Sequence, residues 1–180
     1  MTALTRNPSN PNFLQTNKFI LTFERLPNIQ YFCQSVTVPG ISMSEVPQNT
    51  PFVDLYRPGE KAIYDLLNVT FMIDEQMKSW IEVHDWIRGM TFPENFDEYK
   101  NLSNLGRRTG YTSPTNTPQY SDAKLVLLSS SNRPNIEFKF YDVFPTTLST
   151  VIMSTADTPE NVPTADATFR YSYYDIVSRA

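Results

Sequence analysis

Leu67-Asn-Val-Thr-Phe-Met-Ile-Asp-Glu75 runs directly into Gln76-Met-Lys-Ser-Trp-Ile-Glu-Val-His-Asp-Trp-Ile-Arg-Gly89, and the reading of the fold turns on this junction. Leu66 to Ile73 is apolar and β-branched enough to be a buried strand. Asp74 can accept a bond from a free backbone N–H and Glu75 suits the positive end of a helix dipole, so together they predict a helix start. Met77, Trp80, Ile81, His84 and Ile87 recur at helical spacing, widened by Val83 and Trp86. Of these, Met77, Trp80, Ile81 and Ile87 are the expected packing residues. Arg88 in the last turn and Gly89 at the C′ position close a helix over 74–89.

Outward from the junction the chain reads as strands. Phe19, Leu21 and Phe23 alternate with Ile20, Thr22 and Glu24, which predicts a strand over 18–26. Pro27-Asn28 supplies a turn, and Ile29 to Val38 follows as a second strand stopped by Pro39-Gly40, the two forming an antiparallel hairpin. Residues 50–65 read as another hairpin, Phe52 to Tyr56 and Lys61 to Asp65, joined through Arg57-Pro58-Gly59-Glu60. A short helix is expected over 94–101. Lys124 to Ser130 and Ile136 to Phe144, joined by Asn132-Arg133-Pro134-Asn135, make a third hairpin that Pro145 stops. Leu148 to Met153 is a candidate strand, and Ala167 to Val177 is a long closing one. Residues 1–16 are polar and proline-interrupted and are expected to be a flexible arm. Residues 103–122, rich in Ser, Thr, Asn, Gly and Pro, are expected to be a mobile loop. No internal repeat or domain boundary interrupts 1–180, so a single domain is expected.

Composition excludes several functions. The 180 residues carry 19% charged side chains and a net charge of −4, with a pI near 5.0. Such a surface repels nucleic acid, whereas specific DNA binders present a basic face. The single cysteine excludes an internal disulfide or a multi-thiolate zinc site, and the single histidine excludes a His-pair metal site within one chain. Five glycines leave no phosphate-cradling loop. No apolar run is long enough to span a membrane as a helix. The N-terminus lacks the apolar core of a signal peptide, so synthesis in the cytoplasm is expected.

The residues able to do chemistry lack partners. His84 sits among Trp80, Ile81 and Ile87 beside Asp85 and reads as a packing histidine. Cys33 has no cationic neighbour to lower its pKa. Asp74 and Glu75 are adjacent and cannot face each other on a helix, so helix-start chemistry accounts for them. Asp157-Thr-Pro-Glu160 reads as a solvated loop, and so do Arg107-Arg108 and Tyr111, despite their potential to touch phosphate and stack a base. No catalytic, cofactor-binding or metal-ligating residue is expected. What needs an explanation is the excess of aromatics and of strands apolar on both faces: Ile20 opposes Phe19, and Tyr174 and Ile176 oppose Tyr173 and Val177. A second apolar face calls for burial against a helix or against copies of the same chain.

The order of these elements resembles the tail tube proteins of contractile-tailed bacteriophages. The resemblance covers about 17–90 and 123–177. It rests on Asn17 to Glu24, on Tyr31 to Ile41, on the strand–Asp–Glu–helix junction, on Phe144-Pro145 ending a strand and on Ala167 to Asp175. It implies a mainly β fold, a two-sheet β-sandwich or barrel with one flanking helix. Strands 18–26, 29–38, 136–144 and 167–177 would supply the sheets, and the 74–89 helix would cover one sheet end. It further implies hexameric rings, whose inner sheets join around a channel and which stack into a tube. The 50–65 hairpin, with Phe52, Val53, Leu55, Tyr56, Arg57, Pro58 and Gly59, would reach the neighbouring ring. The implied partners are a tail sheath protein and baseplate and tail terminator proteins, with DNA passing through the lumen unbound and no cofactor. An acidic subunit suits such a conduit, because a basic wall would hold phosphate. The 91–122 segment and the polar arm depart from a minimal tube subunit. They leave open whether this is the repeating tube subunit or a tube-like baseplate or tube-initiator protein, and the tube subunit of a related contractile injection system, which would share the fold, is a further alternative. A monomeric ligand-binding barrel and an enzyme are the rival readings from other classes.

Overall fold

In the computed structural model, which describes residues 12–100, 102, 119–154 and 162–178, one strand belongs to two sheets. That strand, β7 (Pro134–Leu148), is 15 residues long. Its first part lies between β6 (Ser121–Leu128) and β9 (Tyr173–Ser178), with β1 (Phe19–Phe23) beyond β6. Its last part pairs with β8 (Thr164–Arg170), which is followed by β5 (Leu67–Met72) and β2 (Cys33–Val36). Every pairing is antiparallel. The change of sheet falls at Asp142, whose φ is 56°, opposite a register shift between Ser121 and Ala123. A left-handed residue at a bulge bends a strand, and here it turns β7 from one layer of a sandwich into the other.

The apolar side of each layer meets in one core. Leu21 and Phe23 of β1, Leu125 of β6 and Phe140 of β7 face Val69 and Phe71 of β5 and Ala167 and Phe169 of β8, all of them buried. Phe23 and Phe169 touch across the sandwich, with ring centroids 4.9 Å apart. The sequence of strands ends at β1 on one side and β2 on the other, so the sheets do not close into a barrel. Two helices flank the sandwich: α1 (Pro27–Phe32) packs on β1 and β5, and α2 (Lys78–Thr91) packs on α1 and on β7.

Several expectations are corrected by this arrangement. Residues 18–26 and 29–38 do not pair as a hairpin: β1 pairs with β6 and β2 with β5. Pro27 occupies the first turn of α1, where its fixed φ suits a helix and its missing N–H costs nothing. The turn buries Leu26 and Ile29. Asn28 donates its backbone N–H and its Nδ2 to Glu82 of α2, at 3.3 and 2.7 Å, which ties the two helices together. Pro145 does not stop β7, which continues to Leu148, and Leu148–Met153 is no separate strand. Residues 144–148 pair only with β8 among the described strands, and an edge tolerates proline. The closing strand is broken after Arg170, because β8 pairs with the second part of β7 and β9 with the first.

The helix also differs in its limits. It begins at Lys78 rather than Asp74, and Met77 at its N-cap has a φ of 53°. Asp74 still serves the helix start by accepting the Ser79 N–H and hydroxyl, each at 3.1 Å. Gly89 does not end it. The helix runs on to Thr91 and closes at Phe92, whose N–H donates to Arg88 O at 2.8 Å. Gly89 is needed for a close approach instead, since a Cβ there would lie 3.0 Å from Leu102 Cβ. Of the expected 94–101 helix, residues 97–100 are helical. The expected arm and loop fall largely outside the described residues, as do Arg107, Arg108, Tyr111, Asp157 and Glu160. Ser121 and Asp122, at the end of that loop, belong to β6.

Candidate assembly surface

β3 (Ile41–Gln48) and β4 (Leu55–Tyr64) form a two-stranded sheet apart from the sandwich. The hairpin is therefore 41–64, and the expected turn at Pro58-Gly59 is mid-strand. Ile41 pairs with Tyr64, Met43 with Ala62, Val46 with Arg57 and Gln48 with Leu55. The register shifts between Met43 and Glu45, so Gly59, Glu60 and Lys61 bulge opposite Ser44. Gly59 is required there, because a Cβ would come within 2.5 Å of Ser44 O and 2.9 Å of Ser44 C. All eight residues of β3 are exposed, and Ile41, Met43, Val46, Leu55, Tyr56 and Ile63 are each more than half exposed. In the connection Phe52 is 97% exposed, beside an exposed Val53. An isolated two-stranded ribbon is marginally stable in water, and each large apolar side chain left outside forgoes roughly 1.5–3 kcal/mol of burial. Pro47 and Pro58, one in each strand, remove donors from the hairpin's edges. This discourages open-ended strand addition and leaves side chains as the means of docking.

The base of the hairpin is held firmly. Tyr64 packs on Tyr174 and Tyr171, with centroids 5.3 and 6.0 Å away. Tyr171 donates its hydroxyl to Asp65 O at 2.8 Å, and Tyr174 to Pro39 O at 3.4 Å. Burial, then the neighbouring Tyr174, Asp65 and Tyr64, push the Tyr171 phenol well above its ordinary pKa, so it stays a donor. Across the mouth, the Asp65 N–H donates to Gly40 O at 3.1 Å.

Of the expected contact residues, Phe52 and Val53 lie in the connection and Leu55, Tyr56, Arg57, Pro58 and Gly59 in β4, all on one projecting element. The β3 half, with Ile41, Met43 and Val46, was not expected there. Its signal is the alternation Ile41-Ser-Met-Ser44. On α2 the fully buried residues are Ser79, Val83, Trp86 and Gly89. Met77, Trp80 and Ile87 are half-buried against the core, whereas Ile81 is 43% exposed and faces away from it. The buried stripe is thus rotated from the expected one towards Val83 and Trp86. The Trp86 Nε1 donates to Gln119 O at 3.1 Å, and Arg25 lies over its ring at 5.2 Å.

The reactive side chains are placed for structure. His84 stacks on Trp80 at 5.2 Å, with Nδ1 3.3 Å from Asp85 Oδ1 at the surface. Burial pushes the Cys33 thiol up to about 11, far from a reactive thiolate. Desolvation acts to raise Asp74, but bonds from the Ser79 and Lys78 N–H groups and the Ser79 hydroxyl outweigh it and hold the carboxyl below its ordinary value. Among the described residues no three His, Cys, Asp or Glu side chains are grouped to hold a metal ion.

The sequence model of the phage tail tube protein family matches residues 7–177. The chain belongs to that family. It is 27% identical over 171 residues to the tail tube terminator protein of Enterobacteria phage T4, a match covering 92% of this chain and 89% of that protein. The fold is similar to that of the anti-feeding prophage tube-terminating cap, with a TM-score of 0.64 at 12% identity and 99% of each chain covered. It is also similar to a chain of the PVC sheath–tube complex in the extended state, at 0.62 and 11% identity with 93% of each chain covered. The PVC sheath/tube terminator matches at 0.61 and 13% identity, over 93% of this chain and 98% of that one.

Membership of a tail tube family makes this a structural protein and not an enzyme. The projecting hairpin, rather than any cleft, is therefore its candidate functional site.

Proposed function

We propose that this tail tube family member is a ring-forming subunit at the end of the inner tube of a contractile tail, a terminator that caps the stack. The observation that carries the position is the 27% identity to a tail tube terminator across 92% of the chain. The geometry supplies the means. An exposed, apolar hairpin with a rigid base and blunted edges docks on a neighbouring ring through side chains, and β9, which pairs only with β7 among the described strands, leaves a sheet edge at which copies join side by side. Six copies close a ring, and stacked rings leave a channel through which DNA passes without being gripped. The partners are the tube below, the sheath around it and other tail proteins, and the protein's place is the virion tail. No described helix is long and apolar enough to cross a membrane.

A second reading is favoured by the near-equal likeness to a chain of the PVC sheath–tube complex: the subunit repeats along the tube. Negative-stain microscopy of the purified chain, alone and with preformed tubes of its own tail, separates the two. A terminator gives discrete rings that do not elongate and that sit on tube ends. Long tubes from the chain alone would overturn the terminal position in favour of the repeating subunit. Particles that neither form rings nor bind tube ends would overturn both.

A further inference from the structure

The hairpin of β3 and β4 has two faces, and they differ in charge. Residues paired across an antiparallel ribbon share a face, and neighbours along a strand alternate between faces. By this register Ile41, Met43, Glu45 and Tyr56 lie on one face together with Glu60. Val46, Leu55, Arg57 and Ile63 lie on the other together with Lys61. The register shift does not mix the two sets. Ser44 and Gly59 both belong to the second face, where a Cβ on Gly59 would strike the Ser44 hydroxyl.

Each face carries three large apolar side chains that are more than half exposed: Ile41, Met43 and Tyr56 on the first, Val46, Leu55 and Ile63 on the second. The first face adds only negative charge, from Glu45 and Glu60, and the second only positive charge, from Arg57 and Lys61. The hairpin's one other charged residue, Asp54, is in the connection and outside both faces. Among the described residues, none of Glu45, Arg57, Glu60 and Lys61 makes an ion pair within the chain.

A hairpin laid flat on a single subunit would cover one face and leave the other three apolar side chains in water. A ring of identical copies joined head to tail offers a better receptor, because one flank of each copy meets the opposite flank of the next. The cleft between two such copies therefore has two unlike walls. We propose that each hairpin inserts between two adjacent subunits of the neighbouring ring, with Glu45 and Glu60 against a basic wall and Arg57 and Lys61 against an acidic one. This rests on the ring-subunit reading above and adds to it the form and charge of the receiving site. Like charges meeting across an interface are strongly unfavourable, so the hairpin enters the cleft in one orientation only and sets the rotation of one ring on the other. Phe52 and Val53, in the connection, lead the insertion.

The test uses tubes of the same tail and two readouts. In the first, Glu60→Lys and Lys61→Glu are made singly and together, the double exchange leaving composition and net charge unchanged. Each of the three is expected to weaken tube-end binding at least about tenfold at low ionic strength, with the difference narrowing as salt is added. In the second, Ala62→Cys on the first face and Gln48→Cys on the second are made in the full-length Cys33→Ser protein and carry a benzophenone label. Met43→Cys and Ser42→Cys repeat the two faces should either variant fail to assemble. Both positions are expected to cross-link to tube subunits, and protein labelled at both to yield one copy joined to two tube subunits. Cross-links from one face only, products of one copy with one tube subunit only, links only between copies of this chain, or a double exchange that binds as the wild type does would each overturn the cleft. Rings seated on tube ends with no link from either face would overturn the hairpin as the docking element and leave the ring standing. Wild-type protein that neither forms rings nor binds tube ends overturns the ring-subunit reading and this inference with it.

Discussion

Gly59 shows how one residue shapes the assembly surface. Read in the sequence beside Pro58 it suggests a turn, but it sits in a bulge against the Ser44 backbone. Gly59→Ala should push the strands apart. The expected outcome is loss of amide hydrogen-exchange protection confined to β3 and β4 with the melting temperature of the sandwich unchanged, and retained protection would refute the bulge's role. Cys33 gives a second expectation at this scale. Its thiol is raised from 9.0 to about 11, so alkylation at mildly alkaline pH should run roughly tenfold or more slower than for an exposed thiol, allowing for the greater nucleophilicity of the more basic thiolate. A rate equal to that of free cysteine would show the site to be open. Asp122 and Glu24 give a pH dependence. Burial is the largest cause and raises both; for Asp122 the Asp142 N–H bond opposes it and the Asp142 charge adds to it, for Glu24 the Asp122 charge adds to it, and Lys124 lowers each by less. Their folded-state pKa values lie above the unfolded ones, so the folded state binds protons more readily and stability rises as pH falls through the folded values. Asp122→Asn should flatten that slope: the urea midpoint equals or exceeds the wild-type value at neutral pH, and the difference closes as pH falls into the ordinary carboxylate range. A neutral-pH midpoint well below the wild-type value would contradict this.

At the scale of elements, α2 ties α1 to the strand that both layers share, because it packs on α1 and on β7. Trp86 is its largest fully buried side chain. Trp86→Ala should therefore cost about 3–5 kcal/mol, measured as a fall in the denaturant midpoint, whereas Ile81→Ala at an exposed position should cost under about 1 kcal/mol. Equal losses would mean that the buried stripe has been misplaced. Much of this level was legible in the sequence. The β5–α2 junction, β1 and the β6–β7 hairpin follow from period and turn chemistry that local residues dictate. What was illegible shares one cause, since whether a proline interrupts a strand depends on which side of the strand has a partner. Pro58 and Pro145 both lie in strands at sheet edges, where they are tolerated, and Pro27 starts a helical turn inside what reads as a strand–turn–strand. The change of sheet at Asp142 is likewise set by tertiary pairing, and nothing in Tyr141-Asp-Val143 announces it. The hairpin's apolar residues were legible as a group, but their partner strand was not, because Pro39-Gly40 reads as a stop rather than as the mouth of a projection.

For the whole molecule the central claim is that the projecting hairpin docks one ring on another while the sandwich stands alone. Its exposed apolar residues add nothing to the core of the single chain, so their loss should be silent in folding and decisive in assembly. The most direct measurement is a paired assay of the Leu55→Asp, Tyr56→Ser double variant, by circular dichroism with thermal melting and by microscopy of its binding to tube ends. The account predicts a wild-type spectrum and melting temperature together with loss of tube-end binding. A variant that unfolds, or one that binds tube ends as the wild type does, would contradict it.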